Sequence, residues 1–191
     1  MQGRLIVVSG PSGVGKGTVL KEAFRRSAKP LELSVSATTR EPRPGEIDGV
    51  HYWFLSKEDF QRKVEKGEFL EFFEVFGSGN LYGTLKNTVQ EKLSTGAWVV
   101  LEIDVQGALK VREIFPDAIL IFIEPENVEV LKERLAKRGT ESDEIMQDRL
   151  NRAIEELEFA HKYDHRIVNA DLEEAINHFC DIIERKDENE E

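Results

Sequence analysis

A short apolar run, Leu5-Ile6-Val7-Val8-Ser9, leads directly into Gly10-Pro11-Ser12-Gly13-Val14-Gly15-Lys16-Gly17-Thr18. No other segment constrains the fold as tightly. Glycines at these spacings let successive backbone N–H groups turn inward around phosphate oxygens. A helix that starts at Gly15 or Lys16 adds unpaired N–H groups and the positive end of its dipole. Lys16 contributes a point charge within reach of β and γ phosphates. Strand, glycine loop, lysine and helix in this order predict a P-loop, with residues 10–18 as its donor-nucleotide contacts. The hydroxyl residue is displaced by one, because Gly17 stands between Lys16 and Thr18.

Two more apolar runs, 98–101 and 119–123, share the character of 5–8 and read as strands buried on both faces. Weaker strands are expected at 33–37 and 166–168, and helices at 16–26, 85–93, 107–114, 128–137, 144–161 and 172–184. Such alternation predicts an α/β fold of P-loop NTPase type, a parallel core sheet flanked by helices. Residues 38–84 interrupt the rhythm with Pro42, Pro44, Gly45 and Gly49. A strand at 51–55, a helix at 56–66 capped by Ser56 and ended by Gly67, and a further strand-like stretch at 69–76 point to a small mixed α/β insertion. The aromatic residues of 52–54 and 69–76 are expected to form the core of that insertion. One domain over 1–184 then comprises a core (1–37, 85–124, 165–184), the insertion (38–84) and a helical lid (125–164). Its irregular stretch at 138–143 separates two helices, and 185–191 is an acidic tail.

The chain of 191 residues is 40% apolar and 33% charged, a globular balance rather than a disordered or membrane one. Its net charge of −11 argues against a protein that coats nucleic acid or anionic lipid. The charge is uneven, however: residues 1–45 carry +5 and the remainder −16. The asymmetry reads either as scatter of surface charge or as a local anion site. A single cysteine, Cys180, allows no internal disulfide and suits a reducing compartment; its helical surroundings suggest packing. The longest aliphatic run, 118–123, is too short to cross a membrane, and 5–8 is too short for a signal core. A cytoplasmic protein, monomeric or a small homo-oligomer, is expected.

Arg40 and Arg43 flank Pro42 in Ser34-Val35-Ser36-Ala37-Thr38-Thr39-Arg40-Glu41-Pro42-Arg43-Pro44-Gly45-Glu46. Two guanidiniums on a stiff loop at the end of a parallel strand suit a terminal phosphate, although isolated loop arginines are often merely solvated. Asp48-Gly49-Val50-His51-Tyr52, Phe69-Leu70-Glu71, Asn80-Leu81-Tyr82-Gly83-Thr84, Leu101-Glu102-Ile103-Asp104-Val105-Gln106-Gly107, Arg138-Gly139-Thr140-Glu141 and Ile167-Val168-Asn169 complete the pattern. In this order the segments resemble guanylate kinases over nearly the whole chain. The GKGT form of the phosphate loop is also that of many nucleoside monophosphate kinases.

The resemblance implies that Arg40, Arg43, Tyr52 and Tyr82 hold the phosphate of GMP. It further implies that Ser36, Glu71 and Thr84 meet the guanine, with Asp104 a further acid beside the acceptor nucleotide. The loop 72–79 differs from the family pattern by two residues. Guanine chemistry supports Glu71 separately: an ionised carboxylate only accepts, so it suits the adjacent N1–H and 2-amino donors of guanine and opposes the N1 lone pair of adenine. Arg134, Arg138 and Arg149 match lid arginines that close over the donor phosphates, and Asn169 is placed at the adenine of ATP. With Lys16, Arg40 and Arg43 they would share the migrating charge.

The strand 98–101 ends in Glu102 and Asp104. Either acid can hold Mg²⁺ through water, cap the next helix or bind ribose; metal is preferred for Glu102, with Thr18 a second candidate. His161 and His165 are four apart but lack the glutamate of an HExxH zinc motif, so no metal site is expected there. The activity implied is phosphate transfer from ATP to GMP with Mg²⁺, and also to dGMP, in purine nucleotide metabolism and GMP recycling. The alternatives are a non-catalytic guanylate-kinase-like binding module and a kinase of another small phosphate ester. The intact Gly15, Lys16, Arg134, Arg138 and Arg149 weigh against the binding module.

Overall fold

The computed structural model describes residues 3–75, 79–136 and 143–185. Five strands form an all-parallel sheet: β1 (Leu5–Ser9), β2 (Leu31–Leu33), β7 (Trp98–Glu102), β8 (Ile119–Glu124) and β9 (His165–Val168), in the order β2-β7-β1-β8-β9. Helix α1 (Lys16–Arg26) follows β1, α4 (Val105–Ile114) follows β7, and α5 (Val128–Ala136) follows β8. The expected α/β core is therefore present.

Side chains leave the strands with a period of two, and each set meets its own helices. Ile6, Val8, Val100, Ile119, Ile121, Ile123 and Ile167 pack with Val19, Leu20 and Ala23 of α1 and with Ile176, Phe179 and Ile183 of α7 (Leu172–Arg185). On the other face Leu5, Val7, Val99, Leu101, Leu120 and Phe122 pack with Ala108 and Val111 of α4 and with Val89 of α3 (Lys86–Ser94). Cys180 packs against the first of these clusters, half-buried. Helices α5 and α6 (Asp143–Glu158) share a smaller core of Leu131, Leu135, Leu150 and Ala153.

A second, four-stranded sheet has the order β4-β3-β6-β5 and contains β3 (Ala37–Thr38), β4 (Trp53–Phe54), β5 (Phe69–Val75) and β6 (Asn80–Leu85). β3 pairs in parallel with β4 and antiparallel with β6, which pairs antiparallel with β5. Helix α2 (Lys57–Glu65) starts where Ser56 Oγ accepts the Asp59 N–H, and Gly67 follows it in the left-handed region at φ 66°. Phe60 stacks on Phe69 with centroids 4.3 Å apart.

Three expectations need correction. The strand expected at 33–37 divides: β2 ends at Leu33 in the large sheet and β3 begins at Ala37 in the small one. Ser34 still bonds Val100, so the break at 34–36 is where the chain changes sheets. The strand expected at 51–55 contracts to β4, because Asp48, Gly49 and Tyr52 close a compact turn on one another. The helix expected at 144–161 gives way after Glu158 to a 3₁₀ turn, Phe159–Lys162, which holds His161, while His165 lies on β9. Arg138, most of the irregular stretch 138–143, residues 76–78 of the variable loop and the tail beyond Arg185 lie outside the described residues.

Candidate active site

The carboxyl ends of β1, β2 and β7 open into a cavity of about 890 Å³. One end is the P-loop, represented by Gly10, Ser12 and Lys16; the opposite wall holds Glu71, Phe73 and Tyr82 of the second sheet. Two buried polar atoms of the lining residues, Ser34 Oγ and Glu71 Oε2, have no hydrogen-bond partner among the described residues. Buried polar atoms are rarely left so, which marks the cavity as a place for polar ligand atoms.

The loop is held from several sides. Gly10 approaches β8 so closely that a Cβ there would lie 2.0 Å from the Ile123 carbonyl oxygen. Gly15 stands at the N-cap of α1 at φ 99°, a left-handed conformation that glycine adopts without strain. Lys16 Nζ donates to the Gly10 carbonyl at 2.6 Å and lies 3.3 Å from that of Pro11. The Val14 carbonyl accepts from Asn169 Nδ2 at 2.8 Å and from Arg134 Nη1 at 3.0 Å. Arg134 Nη2 also donates to the Asn169 carbonyl, and Arg149 Nη2 donates to Ser12 Oγ at 2.7 Å. Arg134 and Asn169 thus brace the loop backbone, whereas Arg149 reaches its tip from α6.

The far wall is built around a β-bulge. Register shifts between Phe69 and Glu71, so the neighbours Leu70 and Glu71 are both buried, which regular alternation would forbid. Thr84, directly opposite, donates its hydroxyl to Glu71 Oε1 at 2.6 Å. Burial pushes the Glu71 carboxyl up to about 7; the Thr84 bond opposes this and the nearby Asp104 reinforces it. Asp104 caps α4, accepting the Gly107 N–H at 2.7 Å, and burial raises its carboxyl as well. From α6, half-buried Glu156 faces Lys16, Asp104 and Arg152, and burial lifts its carboxyl to about 7.

Arg40 approaches from β3. Its Nε donates to Tyr82 Oη at 3.2 Å, Nη1 to the Glu41 carbonyl at 2.6 Å and Nη2 to Glu46 at 2.8 Å. The guanidinium lies 5.5 Å from the Tyr52 ring centroid, and Tyr52 meets Tyr82 edge-on. Burial raises the Tyr52 hydroxyl above its ordinary value. Arg43 is exposed, and its backbone N–H donates to Glu46.

A family model for guanylate kinase matches residues 2–186. The chain is 49% identical over 182 residues to a guanylate kinase of Caldanaerobacter subterraneus, covering 95% of this chain and 87% of that one. The chain belongs to the guanylate kinase family. A guanylate kinase of Rhodopirellula baltica is 47% identical with the same coverage of both chains. The crystal structure of the guanylate kinase from Anaplasma phagocytophilum superposes with a TM-score of 0.79 at 32% identity, covering 97% of this chain and 86% of that chain.

Within this guanylate kinase family member, Lys16, Ser36, Tyr52, Glu71, Tyr82, Glu102 and Asp104 line the same cavity, with Thr84 bonded behind Glu71. Arg40, Arg43, Arg134, Arg149 and Asn169 are not among the lining residues. Phe73, expected in the insertion core, lines the cavity instead, because the period of two from Glu71 puts it on the same face. The donor set also suits Mg²⁺. Among the described residues no group of three or more His, Cys, Asp or Glu could hold a metal, and Glu102 is the exposed carboxylate at the end of β7. One carboxylate is what an ion held mainly by phosphate oxygens and water requires. Thr18 is exposed and does not line the cavity.

Sequence reasoning assigned no role to Glu46, Gly107, Ser34 or Glu156. Gly107 had a signal in its spacing, three residues after a capping Asp104. Glu46 had a weaker one, three residues after Arg43. Glu156 had none, since it sits among Glu155 and Glu158 on a charged helix.

Proposed function

We propose that this chain transfers the γ-phosphate of ATP to GMP, and to dGMP, giving ADP and the corresponding diphosphate. The observation that carries the reading is Glu71: a buried carboxylate with an unpartnered oxygen, lining the cavity that Lys16 of the P-loop also lines. When ionised, its two oxygens suit the adjacent guanine donors, and the acceptor-only carboxylate then opposes adenine.

A phosphate oxygen of GMP attacks the γ-phosphorus while the bond to the β,γ-bridging oxygen breaks, and ADP departs with that oxygen. The attacking phosphate is already ionised, so no general base is needed. Catalysis rests on positioning and on charge placed where it develops. Arg40 and Arg43 hold the acceptor phosphate with Tyr52 and Tyr82, and Lys16 and the loop amides hold the donor. Arg149, with Arg138, adds charge from the lid. Arg134 acts through the loop backbone that it braces. Asn169, immediately after β9, meets the adenine of ATP. Glu102 would hold Mg²⁺ with water; when bound, the ion neutralises phosphate charge. Residues 38–84 serve as the GMP-binding insertion and 125–164 as the lid of one domain. The reaction belongs to purine nucleotide metabolism in the cytoplasm, with small-molecule substrates only.

ADP formation measured with GMP, dGMP, AMP, CMP and UMP tests the reading. Turnover with GMP and dGMP, and at least a hundredfold less with the others, is expected; no turnover with GMP overturns it.

A further inference from the structure

We infer that Glu46 is a positioning residue for the acceptor phosphate, fixing Arg40 and the Arg43 backbone in one arrangement. The inference rests on the proposed GMP kinase reading. Glu46 Oε1 accepts from Arg40 Nη2 at 2.8 Å, and Glu46 Oε2 accepts from the Arg43 backbone N–H at 2.7 Å. The Glu46 N–H returns a bond to the Arg43 carbonyl at 3.0 Å, so the turn 43–46 is closed on itself. Neither partner of the ion pair is freely solvated: the Arg40 and Glu46 side chains are 14% and 17% exposed.

A guanidinium has five N–H groups. Tyr82, Glu41 and Glu46 each take one from a different nitrogen of Arg40. One N–H on each terminal nitrogen then remains for an anion, the number needed for paired bonds to phosphate oxygens. Glu46 leaves that capacity intact while removing the rotational freedom of the fork. Its carboxyl, bonded to Arg40 and to the Arg43 N–H, is held down to about 2 and stays ionised through the neutral range. Because it touches neither nucleotide directly in this scheme, it acts through the arginines.

Glu46→Gln keeps size and one acceptor but removes the charge and turns an amide donor toward one partner. Steady-state kinetics should show the KM for GMP raised tenfold or more, with the KM for ATP changed less than about twofold. In an Arg40→Ala background the same substitution should raise the KM for GMP less than about threefold, because its main partner is gone. An unchanged KM for GMP, an equal rise in both KM values, or the full penalty in the Arg40→Ala background overturns the inference. If Glu46→Gln does not fold, Glu46→Ala, which removes both carboxylate bonds, is measured in the same two backgrounds against the same criteria. A wild-type chain that does not turn over GMP overturns the functional reading and the inference together.

Discussion

The carboxylate of Glu71 lies against the first turn of α4 at Gly107, where a Cβ would stand 2.9 Å from Oε2 and 3.2 Å from Asp104 Oδ1. Both acids therefore share the space left by one missing side chain. The strand that carries Glu71 comes from the small sheet, and the helix that carries Gly107 comes from the large one.

Gly107→Ala should separate helix stability from site geometry. Alanine favours a helix by up to roughly 1 kcal/mol over glycine. Its methyl would nevertheless displace the Glu71 carboxylate. The melting temperature should hold or rise, while the KM for GMP increases roughly tenfold or more and the KM for ATP stays within about twofold. Calorimetry and steady-state kinetics on the same sample check both.

Glu71 should also set a conflict between stability and function. Its folded carboxyl lies at about 7, above the ordinary 4.5, so the neutral form favours folding. That contribution is fully present below about pH 4.5 and is lost as pH rises through about 7. Glu71→Gln should therefore be more stable than wild type at pH 8, on the order of 2 kcal/mol, with the gap closing toward pH 5. The same variant should lose at least a hundredfold in kcat/KM for GMP. Thermal unfolding across pH, beside kinetics, reads the two effects.

Asn169→Ala removes the buried amide that reaches the Val14 carbonyl. Arg134 still bonds that carbonyl, so the loop should persist at a cost of about 1–3 kcal/mol. Weaker ATP binding is expected, with little change in the KM for GMP. Direct titration with ATP and with GMP distinguishes a local effect from general loosening.

Arg43→Ala should lower turnover of GMP about a hundredfold while ATP binding stays near normal. The turn is bonded through the Arg43 backbone N–H and carbonyl, so the substitution leaves both bonds in place. Equal loss of turnover and ATP binding would count against a phosphate role for the side chain.

Local chemistry made much of this legible. Gly10, Gly15 and Lys16 announce their loop because few other arrangements need those residues at that spacing. The buried strands around Ile6, Val100 and Ile121 show as apolar runs, since both faces of a parallel sheet are covered. Ser56 and Gly67 mark the ends of α2 because caps are local. Beyond such signals, local pattern misleads: a continuous strand expected at 33–37 joins β2 to β3, which belong to different sheets, and the aromatic cluster at 69–76 suggests a core where Phe73 lines the cavity.

The sequence by itself determined the phosphate loop, the α/β order and the family, because each rests on short local motifs and on their order along the chain. Only the tertiary structure decided that Glu71 would be buried beside Leu70, pressed on Gly107 and lifted toward neutrality, since a bulge and a helix from another layer supply that environment. It also decided that Arg134 and Asn169 meet on one carbonyl of Val14 and that Glu46 anchors Arg40. A charge pattern names the cations; burial and the bonds around them fix what each can touch.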